Sequence, residues 1–241
     1  MTVGIIVQAR TGSSRLPAKV MMKADDESLM IDYVINQLKH SKLHDEIVVA
    51  TTNLKQDDVI FDYVTNRNIL CFRGDEKNVL ERHYQCAKKY AFSTIVRIPS
   101  DKPLIDPTIV DSVIERFQSN SYDYISNFFT DVNDNDKFIP SYPSGTEVEI
   151  FSFAALEVAW KNATSEDEKE HVTPYIYNHP EKFNIFTLKS EKNLSQFRWA
   201  LDYENDLKLI RIIISKIQKR PILMNDILEL FEQEPDLTKI N

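Results

Sequence analysis

Two arginines, a lysine and three hydroxyl side chains crowd into Arg10-Thr11-Gly12-Ser13-Ser14-Arg15-Leu16-Pro17-Ala18-Lys19. Such a loop suits a phosphate-bearing ligand: Arg15 and Lys19 supply charge-assisted hydrogen bonds, and Gly12 lets the backbone approach an anion closely. The loop follows directly on Val3-Gly4-Ile5-Ile6-Val7-Gln8-Ala9, an apolar run of strand length. A buried strand that breaks into a cationic, hydroxyl-rich turn is how α/β proteins present phosphates at the carboxyl edge of a sheet. The plainer alternative is a solvated basic loop after an edge strand.

Three further apolar runs end in unusual residues. Glu46 to Thr51 runs into Thr51-Thr52-Asn53, Ile69 to Phe72 into Arg73-Gly74-Asp75, and Thr94 to Ile98 into Pro99-Ser100-Asp101. Ligands of open parallel sheets bind outside the carboxyl ends of the strands. Arg10, Arg15, Lys19 and Arg73 suit an anionic ligand and Asp101 a divalent cation, the pairing of nucleoside triphosphate chemistry. The P-loop spacing would need a glycine at Pro17, and no G-x-G-x-x-G follows the first strand, so both standard nucleotide motifs are absent. His40 and His44 lack a glutamate after the first histidine and read as surface residues rather than metal ligands.

The elements that must position these groups alternate through the first half. Helical spacing is predicted over Leu29 to Lys42, Gln56 to Asn68, Lys77 to Phe92 and Pro107 to Ser119, the last opened by Asp106 as cap and Pro107 at the first helical position. Strand–helix alternation implies a mostly parallel sheet covered on both faces. The second half changes rhythm. Asp123 to Asn127, Glu147 to Phe151, Asn184 to Leu188 and Phe197 to Leu201 read as strands, and Asp131 to Lys137 as an acidic loop. Ser152 to Asn162, Glu166 to Asn178, Asp206 to Gln218 and Asn225 to Glu232 read as helices. With no repeat or low-complexity linker, residues 1–241 read as a single domain. It comprises a nucleotide-binding half (1–127), an acceptor or dimerisation part (128–200) and closing helices (201–241).

Composition narrows the class. The chain has 241 residues, 42% of them hydrophobic, and a formal net charge of −8, against the basic face that non-specific nucleic-acid binding needs. Cys71 and Cys86 lie among apolar neighbours and read as two buried thiols of a reducing compartment. No stretch is long and apolar enough to span a membrane, since Leu207 to Ile217 is interrupted by Lys208, Arg211 and Lys216, so a cytoplasmic location is expected.

Five ordered blocks carry a family resemblance. Gln8 to Lys19 resembles Q-A-R-x-G-S-x-R-L-P-G-K, and Arg73-Gly74-Asp75-Glu76-Lys77-Asn78-Val79-Leu80-Glu81-Arg82 resembles R-G-x-x-x-x-V-L-x-R. Val96 to Pro107 resembles V-R-I-T-G-D-x-P-L-I-D-P, Tyr142 to Ser152 resembles Y-P-x-G-x-D-V-E-x-F-S, and Glu170 to Ile176 matches E-H-V-T-P-Y-I. These are signatures of the spore-coat-polysaccharide type of cytidylyltransferase, a family related to the CMP-Kdo and CMP-sialic acid synthetases.

The resemblance implies a Rossmann-like, three-layer nucleotidyltransferase fold with a mostly parallel mixed sheet, an inserted dimerisation arm and a homodimer. It also implies a Mg²⁺-dependent reaction that joins CTP to a small-molecule acceptor and releases pyrophosphate. Arg10, Ser14, Arg15 and Lys19 would hold the triphosphate, and Arg73, Gly74 and the following helix would lie near the cytosine. Ala9, Gly12, Ser13, Thr52 and Arg82 complete the expected CTP contacts. Asp101 would bind Mg²⁺. Leu201-Asp202-Tyr203-Glu204-Asn205-Asp206 resembles a late I-D-x-x-E-D segment, which makes Asp202 the second carboxylate ligand. Glu147, Glu149 and His171 would face the acceptor, the two glutamates sharing one strand face by alternation. Phe128, Phe129, Phe138 and Tyr142 read as subdomain or dimer packing rather than a substrate wall.

The chain departs from the pattern at three points. Ala18 replaces a glycine, Pro99-Ser100 replaces Thr-Gly before Asp101, and Lys169 stands where an arginine often precedes E-H-V-T-P. The first restricts the backbone, the second deletes an N–H donor, and the third loses a bidentate fork. Two alternative readings remain: a catalytically inactive nucleotide-binding paralogue, and a nucleotide-sugar glycosyltransferase. The latter would carry an Asp-x-Asp motif after a central strand, and Asp134-Asn135-Asp136 falls in a predicted loop.

Overall fold

The computed structural model describes residues 2–128 and 141–241. The strands are β1 (Val3–Gln8), β2 (Glu46–Thr52), β3 (Leu70–Gly74), β4 (Thr94–Pro99), β5 (Tyr124–Ser126), β6 (Glu149–Ser152) and β7 (Ile185–Thr187). They form one seven-stranded sheet in the order β3-β2-β1-β4-β6-β5-β7. Among the described strands, β6 runs antiparallel to both neighbours and every other pairing is parallel. This is the mostly parallel mixed sheet that the sequence implied.

The helices are α1 (Met30–Leu38), α2 (Asp58–Thr65), α3 (Val79–Lys89), α4 (Pro107–Gln118), α5 (Phe153–Asn162), α6 (Glu166–His171), α7 (Pro174–Tyr177), α8 (Glu204–Lys216) and α9 (Met224–Gln233). Successive strand residues point to opposite faces, so β1 feeds two cores. Ile5 and Val7 pack with Ile31, Val34, Ile60 and Val110 under α1, α2 and α4. Ile6 packs on the other face with Leu80, Tyr84, Leu156 and Ile176 of α3, α5 and α7. Truncating Ile5 or Ile60, both fully buried, to alanine would cost about 2–5 kcal/mol. A third cluster joins Leu16 and Met30 to Trp199, Leu201 and the inner faces of α8 and α9, and so seats the opening loop against the C-terminal helices.

Local chemistry sets several element ends. The carboxylate of Asp106 accepts from Thr108 N at 2.7 Å at the start of α4. Its other oxygen accepts from Met224 N at 2.7 Å, which ties α4 to α9. Ser152 caps α5 by accepting from Ala155 N at 3.0 Å. Cys86 is buried and Cys71 half-buried, both free, with burial pushing the thiols up to about 12 and about 11.

Three expectations need correction. The helix predicted over Glu166 to Asn178 is two helices, because Pro174 has no N–H to continue the first. Val172 between them takes a left-handed φ of 73°. Phe197 to Leu201 forms no strand and makes only an isolated bridge, Ser144 to Arg198; β4 is flanked by β1 and β6, so no ladder edge faces this segment. Glu147 lies before β6 and does not share a strand face with Glu149. Gly145, at φ 111°, turns the chain there, and its N–H donates to Glu147 at 2.8 Å. The acidic loop, Asp134-Asn135-Asp136, Phe129 and Phe138 lie outside the described residues.

Candidate active site

The four parallel strands β3, β2, β1 and β4 end side by side, with Gln8 in register with Ala50 and Pro99, and Thr52 with Gly74. Beyond these ends opens a cleft of about 390 Å³, within the range of small-molecule sites. Its walls include the expected Arg10, Gly12, Ser13, Ser14, Arg15, Lys19, Arg82, Asp101 and His171. Gln8, Val79, Pro99, Ser100 and Glu170, to which the sequence assigned no ligand contact, join them. Cations outnumber carboxylates on this wall, so the cleft suits a polyanion.

The opening loop is held through Thr11. Its carbonyl accepts from Ser13 N at 2.9 Å and Ala18 N at 2.8 Å, closing the loop on itself. Its own N–H and hydroxyl both donate to Asp57 Oδ1 at 2.7 Å. Ala18 is left-handed, at φ 55° and ψ 23°. A glycine, the residue of the resembling pattern, would adopt this backbone without strain.

Lys19 follows Ala18 and turns inward, 8% exposed. Its ammonium donates to Leu201 O at 2.6 Å, to Asp202 Oδ1 at 3.0 Å and to Asp101 Oδ2 at 3.4 Å. The two expected metal ligands therefore converge on one cation. The backbone fixes this, since Leu201 N donates to Asp101 O at 2.8 Å. Arg15 and Arg198 approach Asp202 from the other sides, at 2.8 and 2.7 Å. Burial pushes the Asp202 carboxyl up, but donation from Arg198 and Lys19 and the charge of Arg15 outweigh it and hold it below the usual range. Asp206, unremarked in the sequence reading, accepts from the N–H groups of Asp202 and Tyr203, each at 2.8 Å, and orients the start of α8. Asp101 Oδ1 is buried with no partner among the described residues. A buried carboxylate oxygen left open beside a second carboxylate fits a site completed by a further cation.

On the opposite wall Arg82 is 1% exposed and donates to the carbonyls of Asp75 and Glu76. Its Nε has no partner among the described residues. Gly74 makes its place, because a Cβ there would lie 2.8 Å from Arg82 Cγ. Burial, followed by the charge of Arg10, lowers the Arg82 guanidinium to about 10. The charge of an anion in the cleft would oppose that lowering.

A family model for cytidylyltransferases matches residues 4–234. The chain belongs to that family. A relative from Methanocaldococcus jannaschii, itself uncharacterized, is 35% identical over 238 residues, covering 98% of this chain and 93% of its own. The spore coat polysaccharide biosynthesis protein SpsF of Bacillus subtilis is 28% identical, covering 96% of this chain and 94% of its own. The solved structure of a cytidylyltransferase from Leptospira borgpetersenii superposes with a TM-score of 0.90 at 29% identity, over 99% of this chain and 97% of that one. Family membership bears out the resemblance read from the five sequence blocks.

Within this cytidylyltransferase fold, several expected site residues stand away from the cleft wall. Asp202 sits behind Lys19, and Ala9 is buried at the end of β1. Thr52 donates its hydroxyl to Asp57. Arg73 turns outward, pairing with Asp58 at 2.6 Å and donating to Thr52 O at 2.9 Å. Glu149 is buried in the sheet, where Arg97 and the hydroxyls of Tyr124 and Thr173 donate to it. Glu147 pairs with Lys102 at 3.1 Å. His171 does reach the cleft, on the last turn of α6, and its neighbour Glu170 faces Arg10 at 3.6 Å.

Proposed function

We propose that the chain transfers a cytidylyl group from CTP to an oxygen of a sugar or a small acidic or phosphorylated metabolite and releases pyrophosphate. One observation carries this reading: a cation-rich loop and two converging carboxylates meet outside the ends of four parallel strands. Family membership supports the cytidylyl donor, and the Bacillus subtilis relative, a spore coat polysaccharide biosynthesis protein by name, supports a sugar-type acceptor.

Asp101 and Asp202 would hold Mg²⁺, which takes one or two carboxylates and fills its other positions with waters and substrate phosphates. When bound it would supply charge screening and a fixed orientation for the triphosphate. The acceptor oxygen attacks the α-phosphorus in line, the bond to the pyrophosphate bridging oxygen breaks, and the proton of a hydroxyl acceptor passes to water. Arg10, Arg15 and Arg82 face the charge that builds on the leaving group. Lys19 turns from the carboxylates to the phosphates as the nucleotide enters. Catalysis by these residues is positioning and electrostatics.

Pyrophosphate release from CTP, measured across a panel of sugar acids, sugar phosphates and small phosphorylated or phosphonylated metabolites, tests the reading. Release that needs CTP and one acceptor class supports it. No binding of CTP and release from ATP instead would overturn it.

A further inference from the structure

Behind the opening loop lies a carboxylate that the proposed reaction does not use. Asp57 is 0% exposed, and among the described residues no Lys, Arg or His forms an ion pair with it. Burying an unpaired charge is costly unless hydrogen bonds satisfy it. Three do: Thr11 N and Thr11 Oγ1 donate to one oxygen, and Thr52 Oγ1 donates to the other. The Thr52 donor ends β2 and both Thr11 donors lie in the loop that follows β1, where the cleft begins. Thr11 is also the residue whose carbonyl closes the loop onto Ser13 and Ala18. The chain of contacts thus runs from Asp57 through Thr11 to Ala18, and from there to Lys19.

We propose that Asp57 is a positioning residue for the nucleotide. Its buried carboxylate clamps Thr11, and through Thr11 it holds the Arg10–Lys19 loop in the shape that receives the triphosphate. The inference rests on the CTP reading above. An asparagine would keep one acceptor oxygen, toward Thr11, but would turn a donor toward the Thr52 hydroxyl, and its remaining bonds would be weaker, because hydrogen bonds to an ionised acceptor are roughly twice as strong. The Asp57 charge also opposes the depression of Arg82.

Titration calorimetry with CTP on the full chain tests this, with thermal melts confirming that each variant is folded. Asp57→Ala is expected to weaken CTP binding on the order of 10-fold or more, and Thr11→Val, which removes one of the three bonds, by about 3-fold. Asp57→Asn keeps an acceptor toward Thr11 and should recover part of the loss. In turnover the change should fall on KM for CTP more than on kcat. A purely structural Asp57 would lower the melting temperature and leave CTP affinity of the folded protein unchanged; affinity within twofold of wild type in Asp57→Ala would overturn the proposal. Should Asp57→Ala not fold, unchanged affinity in Thr11→Val overturns it equally. Wild-type protein that fails to bind CTP would instead remove the reading on which the inference stands.

Discussion

The ammonium of Lys19 lies 3.0 Å from the carboxylate of Asp202, inside the fold, while the same ammonium reaches Asp101 at 3.4 Å. A single lysine thus acts as counter-ion to two carboxylates that the sequence holds far apart. Removing it should have opposite effects on two ligands. Lys19→Met should raise the affinity of Mn²⁺ for the nucleotide-free protein, because the carboxylates lose their internal cation, and should weaken CTP binding. Mn²⁺ titration followed by electron paramagnetic resonance checks the first effect and calorimetry the second. Both affinities moving in the same direction would contradict the arrangement.

The two cations of the loop should differ in weight. Lys19 is buried whereas the Arg15 side chain is 51% exposed and already paired with Asp202. Lys19→Ala should cost about 2–3 kcal/mol in CTP binding and Arg15→Ala about 1–2 kcal/mol, the scale of hydrogen bonds to charged groups moderated by solvent. Calorimetry on both variants gives the comparison, and unchanged affinity in each would remove the loop from the nucleotide site.

Ala18 holds a left-handed backbone that costs an L-residue about 1–2 kcal/mol. Part of that is returned by the smaller unfolded-state entropy of alanine, so Ala18→Gly should stabilise the fold by about 0.5–1 kcal/mol. Denaturant unfolding measures it. A loss of stability would mean that the surrounding contacts, rather than the φ angle, dominate at this position.

Acid should act through α8. Burial pushes Asp202 and Asp206 up, but the surrounding donors outweigh it, so both titrate below their ordinary 3.8. A carboxylate depressed in the folded state contributes stability that is whole above its unfolded value and is lost as pH falls through its folded one. Melting temperature should therefore drop as pH is lowered past 3.8, the unfolded value. Asp206→Asn should flatten that drop, and an equally steep drop in the variant would contradict the assignment.

Much of this arrangement was legible before any coordinates. Buried strands show as apolar runs, and the abrupt arrival of Arg10, Arg73 or Asp101 marks where each one ends. Those ends fall in register because consecutive βα units build a parallel sheet. The pairing of Asp101 with Asp202 came through family resemblance, since no spacing rule joins residues on opposite sides of the chain. Asp57 left no local signal: its importance lies in bonds to Thr11, which is distant in sequence. Alternation puts Glu147 and Glu149 on one face, but β6 begins only at Glu149, and Glu147 is held in the turn before it by the Gly145 N–H. Arg73 looked like a ligand cation, yet Asp58 at the start of α2 draws it outward.

A structure of the protein with CTP and Mg²⁺ tests the central claim most directly. The triphosphate is expected between the Arg10–Lys19 loop and Arg82, with Asp101 and Asp202 holding the metal and the Lys19 ammonium turned onto a phosphate. A triphosphate bound elsewhere, or both carboxylates remote from it with Lys19 still between them, would contradict it.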